Sequence, residues 1–135
     1  MSIRTTALLT ATAAACIAAS AAETGNWREY NGDKAGARFE PGVNVTLQSV
    51  KSMKVAWRVP LPGNQISADN PELRTWANQS TPLAIDGVLY ASSPLGIVSA
   101  IDGATGKTLW TWDGQGYLDG TPPNLGFISR GVTYW

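Results

Sequence analysis

No histidine occurs anywhere in the sequence, and the only cysteine is Cys16. The first absence removes the usual general base and the commonest zinc ligand. The second rules out disulfides and cysteine-metal sites once the N-terminal segment described below is removed. The remaining reactive types are carboxylates, amines, guanidiniums and hydroxyls. Asp86, Asp102 and Asp113 read as turn and hairpin acids that shape the backbone rather than move protons. Taken alone, Arg130 is a surface cation that pairs with whatever lies near it. Any reaction must therefore rest on a bound cofactor or on residues outside this chain.

With 135 residues, 44% hydrophobic and 15% charged, the sequence belongs to the soluble globular class and has length for one domain. Its 10 basic and 10 acidic residues are scattered without a run of like charge. No footprint for nucleic acid or for an anionic membrane follows from that distribution. Residues 1–22 stand apart: Arg4 opens them, Ala7 to Ala19 form an apolar run, and Ala19-Ser20-Ala21-Ala22 supplies small residues before a cleavage point. They read as a secretory signal peptide, which places the mature chain in the periplasm or outside the cell. The alternatives are a membrane anchor and a lipoprotein leader using Cys16. Cleavage leaves one more acid than base.

The elements that position the remaining side chains follow from spacing. Residues 23–62 form a polar, glycine-rich lead-in, with Trp27, Tyr30 and Phe39 as isolated anchors. Asn44 or Thr46 caps a short helix that places Leu47, Val50 and Met53 on one face. Val55 to Val59 then reads as a strand ended by Pro60 and Pro62. Residues 63–75 show no periodicity and read as a loop, and 63–79 as a loop with the start of a sheet. Between 80 and 113, four apolar runs, Pro82 to Ile85, Val88 to Ala91, Ile97 to Ile101 and Thr108 to Trp112, predict an antiparallel four-stranded meander. Asp86-Gly87 suits a type I′ turn, and Thr105-Gly106 is expected to serve the last hairpin similarly. Residues 114–135 read as a linker and the first strand of a further unit, with the β-prone run starting at Gly126. Four strands of this length cannot bury both faces of a sheet, so the unit wants neighbours, as propeller blades have.

The run from Ser99 to Trp110, SAIDGATGKTLW, resembles the tryptophan-docking repeat of quinoprotein propellers, in which the tryptophan wedges between blades. Further matches are Trp27 to Gly32 with Arg38-Phe39, Val50 to Trp57, Ser80 to Leu83 before Asp86 to Tyr90, and Ser129 to Trp135. In this order they resemble the opening of an alcohol or glucose dehydrogenase that uses pyrroloquinoline quinone (PQQ). The implied fold is all-β: part of an eight-bladed propeller, comprising the lead-in, about one four-stranded blade and the start of the next.

The resemblance implies that Arg130 reaches the anionic oxygens of PQQ, a role that suits a planar guanidinium facing carboxylates. It also implies a cofactor contact at Gln79, where many members carry a charged Glu; Gln still hydrogen-bonds but brings no charge. Asn124 and Leu125 stand where several alcohol dehydrogenases place two adjacent cysteines, which speaks against the methanol and ethanol subgroups. Calcium ligands and the catalytic carboxylate are expected in later blades, outside this chain. The implied reaction oxidises an alcohol or sugar hydroxyl and passes electrons to a cytochrome or a membrane quinone. Two other readings share the blade motif: a propeller scaffold that binds no cofactor, and an inactive remnant. Asn44-Val45-Thr46 and Asn78-Gln79-Ser80 fit the glycosylation sequon, a pattern too short to assign a role.

Overall fold

The computed structural model describes residues 25–42 and 45–135. The signal peptide expected over residues 1–22, Cys16 and the sequon asparagine Asn44 lie outside the described residues. The central element is an antiparallel meander in the order β2 (Leu83–Ile85), β3 (Val88–Ser92), β4 (Val98–Asp102) and β5 (Thr108–Trp112). Strand β4 lies between two neighbours, and consecutive residues Ser99, Ala100 and Ile101 are all buried. Strand β5 is at the sheet edge and is exposed along its whole length, Leu109, Trp110 and Trp112 included.

The two outer hairpins close in different ways. Asp86 and Gly87 both take positive φ, 51° and 79°, while Ile85 pairs with Val88, so the first loop has the two-residue geometry that Asp-Gly favours. In the last hairpin only Gly106 is left-handed, at φ 74°, and Thr105 stays outside that region. The expectation that Thr105-Gly106 acts like Asp86-Gly87 is corrected, because a β-branched residue is costly at positive φ. Instead Asp102 organises a longer loop. Its Oδ1 accepts from Thr105 N and Thr105 Oγ1, each at 2.7 Å. Its backbone N donates to Lys107 O and its carbonyl accepts from Gly106 N, both at 2.8 Å.

These two loops are tied together. Gly103 N donates to Gly87 O at 2.8 Å, and Gly103 O accepts from Trp57 Nε1 at 3.0 Å. The Trp57 ring lies so close over Gly106 that a Cβ there would fall 2.6 Å from the indole. Trp57 was expected inside a strand over Val55 to Val59, but no strand forms there. A strand needs a partner to match its backbone groups, and the described sheets pair these residues with none. The indole of Trp57 supplies the attachment that a ladder would have given.

The lead-in is irregular and pinned. Trp27 bridges Ala84 through N–H···O bonds of 2.6 and 2.9 Å, covering the free edge of β2. Asn26 and Asp86 bond reciprocally, at 2.7 and 3.2 Å. Helix α1 (Leu47–Ser52) is capped by Thr46 in a capping box with Ser49, and its Leu47, Val50 and Met53 are exposed.

The loop expected over residues 63–75 holds a second helix, α2 (Asn64–Asp69), and a 3-10 turn, Pro71–Leu73. The helix lacks a side-chain N-cap, which is why its sequence gave no start signal. Packing induces it: Ile66, Tyr117 and Phe127 close around the buried cluster Leu73, Leu95 and Ile97. Asn70 Nδ2 also donates to Ile66 O at 2.9 Å. Two further strands, β1 (Thr75–Thr81) and β6 (Phe127–Gly131), pair in parallel as a separate two-stranded sheet. Among the described residues no helix is long and apolar enough to cross a membrane.

Replacing Gly103 with alanine is expected to destabilise the fold by about 1–3 kcal/mol, because the new Cβ would meet the Gly87 carbonyl. That contact would be 2.7 Å and involves backbone on both sides. Thermal unfolding of Gly103→Ala against wild type measures it. Asp102 gives a second expectation. The Thr105 hydroxyl, then the Thr105 amide, hold its carboxyl below the ordinary aspartate value. A depressed folded pKa means that this stabilisation is present above the unfolded value and is lost as pH falls through the folded one. The unfolding midpoint should therefore drop as pH falls below the ordinary aspartate range, and Asp102→Asn should flatten that limb.

Candidate cofactor site

The site is built where β1 and β6 run side by side. Thr75 faces Phe127, Ala77 faces Ile128, Asn78 faces Ser129 and Thr81 faces Gly131. Between Asn78 and Thr81 the register shifts, so Gln79 and Ser80 together stand opposite Arg130. Such an irregularity breaks strict alternation and re-aims side chains. Ser80 fixes the bulge: its hydroxyl lies 2.6 Å from Asn78 Oδ1 and 3.0 Å from Ser92 O. Ser92 Oγ and Ser129 Oγ meet at 2.7 Å, which joins the meander to β6. Gly131 sits at φ 121°, a backbone conformation that a residue with a side chain would hold only under strain.

The result is an open cleft of about 730 Å³ lined by Tyr30, Gln79, Thr81, Arg130, Gly131, Val132 and Thr133. Gln79 and Arg130, proposed from separate motifs 51 positions apart in the chain, line the same cleft. Among the described residues neither side chain has a hydrogen-bond or ion-pair partner. The cleft thus offers one guanidinium, one neutral amide and hydroxyls, with no carboxylate on its lining. Such a set has the chemistry to hold an anion and orient it by hydrogen bonds. It supplies no base to take a proton from a hydroxyl at neutral pH.

Sequence reasoning missed the wall that the lead-in contributes. Tyr30 enters the cleft from a segment held by the Trp27–Ala84 bridge. The end of the chain is drawn to the same segment, since the Arg28 guanidinium lies over the Tyr134 ring at 5.2 Å. The only advance signal was the isolated aromatics in a glycine-rich stretch, which marks anchoring without saying to what. Asn124 and Leu125 do not line the cleft; Asn124 occupies a left-handed turn at φ 70° and Leu125 is exposed.

The three aspartates occupy turns. Asp86 bonds Asn26, Asp102 closes its loop, and Asp113 accepts from Gln115 N and from Tyr117 Oη, both at 2.8 Å. The last bond, made to the phenol's protonated form, pushes the Tyr117 hydroxyl above its ordinary pKa. Among the described residues no group of three or more His, Cys, Asp or Glu is placed to hold a metal ion. Trp110 stands half exposed on β5, its ring centroid 6.0 Å from that of Tyr90 and tilted by 53°.

Comparison with known proteins gives this geometry a context. Residues 27–135 match the PQQ family described as glucose/ethanol/alcohol dehydrogenase, beta-propeller domain. The dehydrogenase subunit of the quinone-linked alcohol dehydrogenase of Gluconacetobacter polyoxogenes is 32% identical over 114 residues, covering 82% of this chain and 14% of its own length. The cytochrome c-linked 1-butanol dehydrogenase of Thauera butanivorans is 32% identical over 94 residues, 70% of this chain and 12% of its own. The crystal structure of quinohemoprotein alcohol dehydrogenase from Comamonas testosteroni superposes with a TM-score of 0.62 at 29% identity, covering 87% of this chain and 16% of that one. The chain therefore spans about one seventh of the relatives it matches. With a four-stranded antiparallel blade, a neighbouring parallel strand pair and this match over its length, the chain belongs to the PQQ dehydrogenase family, within its β-propeller domain.

Proposed function

We propose that this chain forms the part of a PQQ-dependent dehydrogenase that grips one side of the quinone cofactor, with Arg130 and Gln79 as its contacts. The observation that carries this reading is their convergence, from two parallel strands, on one open cleft without competing acids. The fit to PQQ is chemical. A planar tricarboxylate needs a planar fork of donors, and Arg130 has its fork uncommitted among the described residues. Gln79 donates or accepts a hydrogen bond without adding a charge that would repel the ligand. When bound, the quinone supplies a two-electron acceptor for the oxidation. The residues of this chain hold and orient it: Arg130 fixes a carboxylate, Gln79 sets the rotation about that anchor, and Tyr30 closes one wall.

On this reading the proton-accepting carboxylate and a calcium ion belong to other parts of the propeller. The substrate is an alcohol or a sugar hydroxyl, and electrons pass to cytochrome c or a membrane quinone. Two observations support that range: the family covers glucose and alcohol dehydrogenases, and one relative is named for cytochrome c. The leader of residues 1–22 would deliver the protein to the periplasm or beyond the cell.

Equilibrium dialysis of the chain against PQQ, read by the absorbance of the cofactor, tests the assignment. Wild type should retain PQQ. Arg130→Gln should weaken binding roughly tenfold, the scale of one charge-assisted bond, and Arg130→Lys should recover part of it. Gln79→Ala should cost about two- to fivefold. Equal PQQ on both sides of the membrane with wild type, or an unchanged affinity in Arg130→Gln, would end this reading.

A further inference from the structure

We infer that Arg38, carried by the lead-in, is a second guanidinium of the same groove, so that the groove holds a polycarboxylate at two points. The inference rests on the Arg130 cleft as an anion site. A second cleft of about 270 Å³, lined by Trp27, Tyr30, Asn31, Arg38 and Thr81, shares Tyr30 and Thr81 with the first. The two clefts are neighbours that share those side chains, with Arg130 lining one and Arg38 the other.

Arg38 is not an ordinary mobile surface arginine. Its backbone sits at φ 53°, which is unfavourable for a residue with a side chain. Two bonds to one residue hold it there: Arg38 N donates to Asn31 O at 2.9 Å and Arg38 Nε to Asn31 Oδ1 at 3.0 Å. With Nε committed, the terminal nitrogens are the donors left to present. No carboxylate pairs with them among the described residues. The nearby acids are turned to backbone amides, Asp33 to Ala37 N at 3.0 Å, and Glu40 to Gly25 N and Gly42 N at 3.1 and 2.9 Å. A strained, doubly anchored cation without a carboxylate partner among the described residues, in a cleft next to that of the unpaired Arg130, fits a rigid ligand with more than one carboxylate. A monocarboxylate would need only one of them.

Equilibrium dialysis of the full chain at low ionic strength, against PQQ and separately against benzene-1,3,5-tricarboxylate, tests this with Arg38→Gln and Arg38→Lys. Arg38→Gln should weaken both ligands about three- to fivefold, the range of an exposed ion pair, and Arg38→Lys should keep most of the affinity. Equal weakening in both variants would mean that Arg38 acts only through its bond to Asn31 and would overturn the inference, as would unchanged binding in Arg38→Gln. Modification by phenylglyoxal, read by mass spectrometry on the wild-type chain, needs no variant to fold. Bound tricarboxylate should protect Arg38 and Arg130 together, and protection of Arg130 alone overturns the two-point site. If wild type binds the simple tricarboxylate but not PQQ, and Arg38→Gln weakens it, the two-point site stands and the cofactor reading falls. Binding of neither ligand overturns both.

Discussion

The parallel pairing of β1 with β6 is the contact on which the rest of this structure depends. It joins Thr75–Thr81 to Phe127–Gly131 across the whole meander between them. Closing so long a loop costs entropy that only long-range burial can offset. The burial is local to the pairing: Phe127 packs on Leu73, Leu95 and Ile97, and Ile66 and Tyr117 complete the cluster. The shifted register at the other end turns Gln79 and Arg130 into one cleft. A regular ladder would give each strand strict alternation, with no bulge to re-aim these side chains.

The blade is held by a different set of forces. Its loops are fixed by hydrogen bonds among Asp102, Thr105, Gly103 and Gly87, with Trp57 seated on the last turn. Its outer strand, in contrast, is exposed throughout, and so is the apolar side of α1. Blades of a propeller bury such faces against one another. The buried hydrophobic set here is correspondingly small, confined to residues such as Leu83, Ile85, Ala100 and Ile101 in the sheet and the Leu73 cluster beside it. The chain covers 12–16% of the relatives it matches, and the outer strand of its four-stranded sheet is exposed along its length.

Two of the residues that line the candidate cleft could be singled out beforehand because each lies in a short run that resembles a family motif. Arg130 stands in Ser129 to Trp135, and Gln79 directly precedes the Ser-Thr-Pro of the blade. Tyr30 and Arg38 were not legible as site residues. They lie in an irregular segment whose position is set by Trp27 and Asn26 against Ala84 and Asp86, contacts between residues far apart in sequence. The strand expected over Val55 to Val59 and the loop expected over 63–75 failed for one reason. Strand propensity at 55–59 had no ladder partner to satisfy it, and α2 forms at 64–69 because Ile66 has a cluster to pack on.

By itself the sequence determined what depends on neighbours along the chain: the meander, the Asp86-Gly87 turn, a short helix capped at Asn44 or Thr46, and the absence of histidine and of any thiol but Cys16. These are set by steric limits on φ, by hydrogen bonds a few residues long and by composition. Tertiary structure alone decided the parallel β1–β6 pairing, the helical form of 64–69, the seat of Trp57 and the meeting of the lead-in with the cleft. Each of these is a contact between distant segments, selected by which surfaces can be buried together and which backbone groups then find partners.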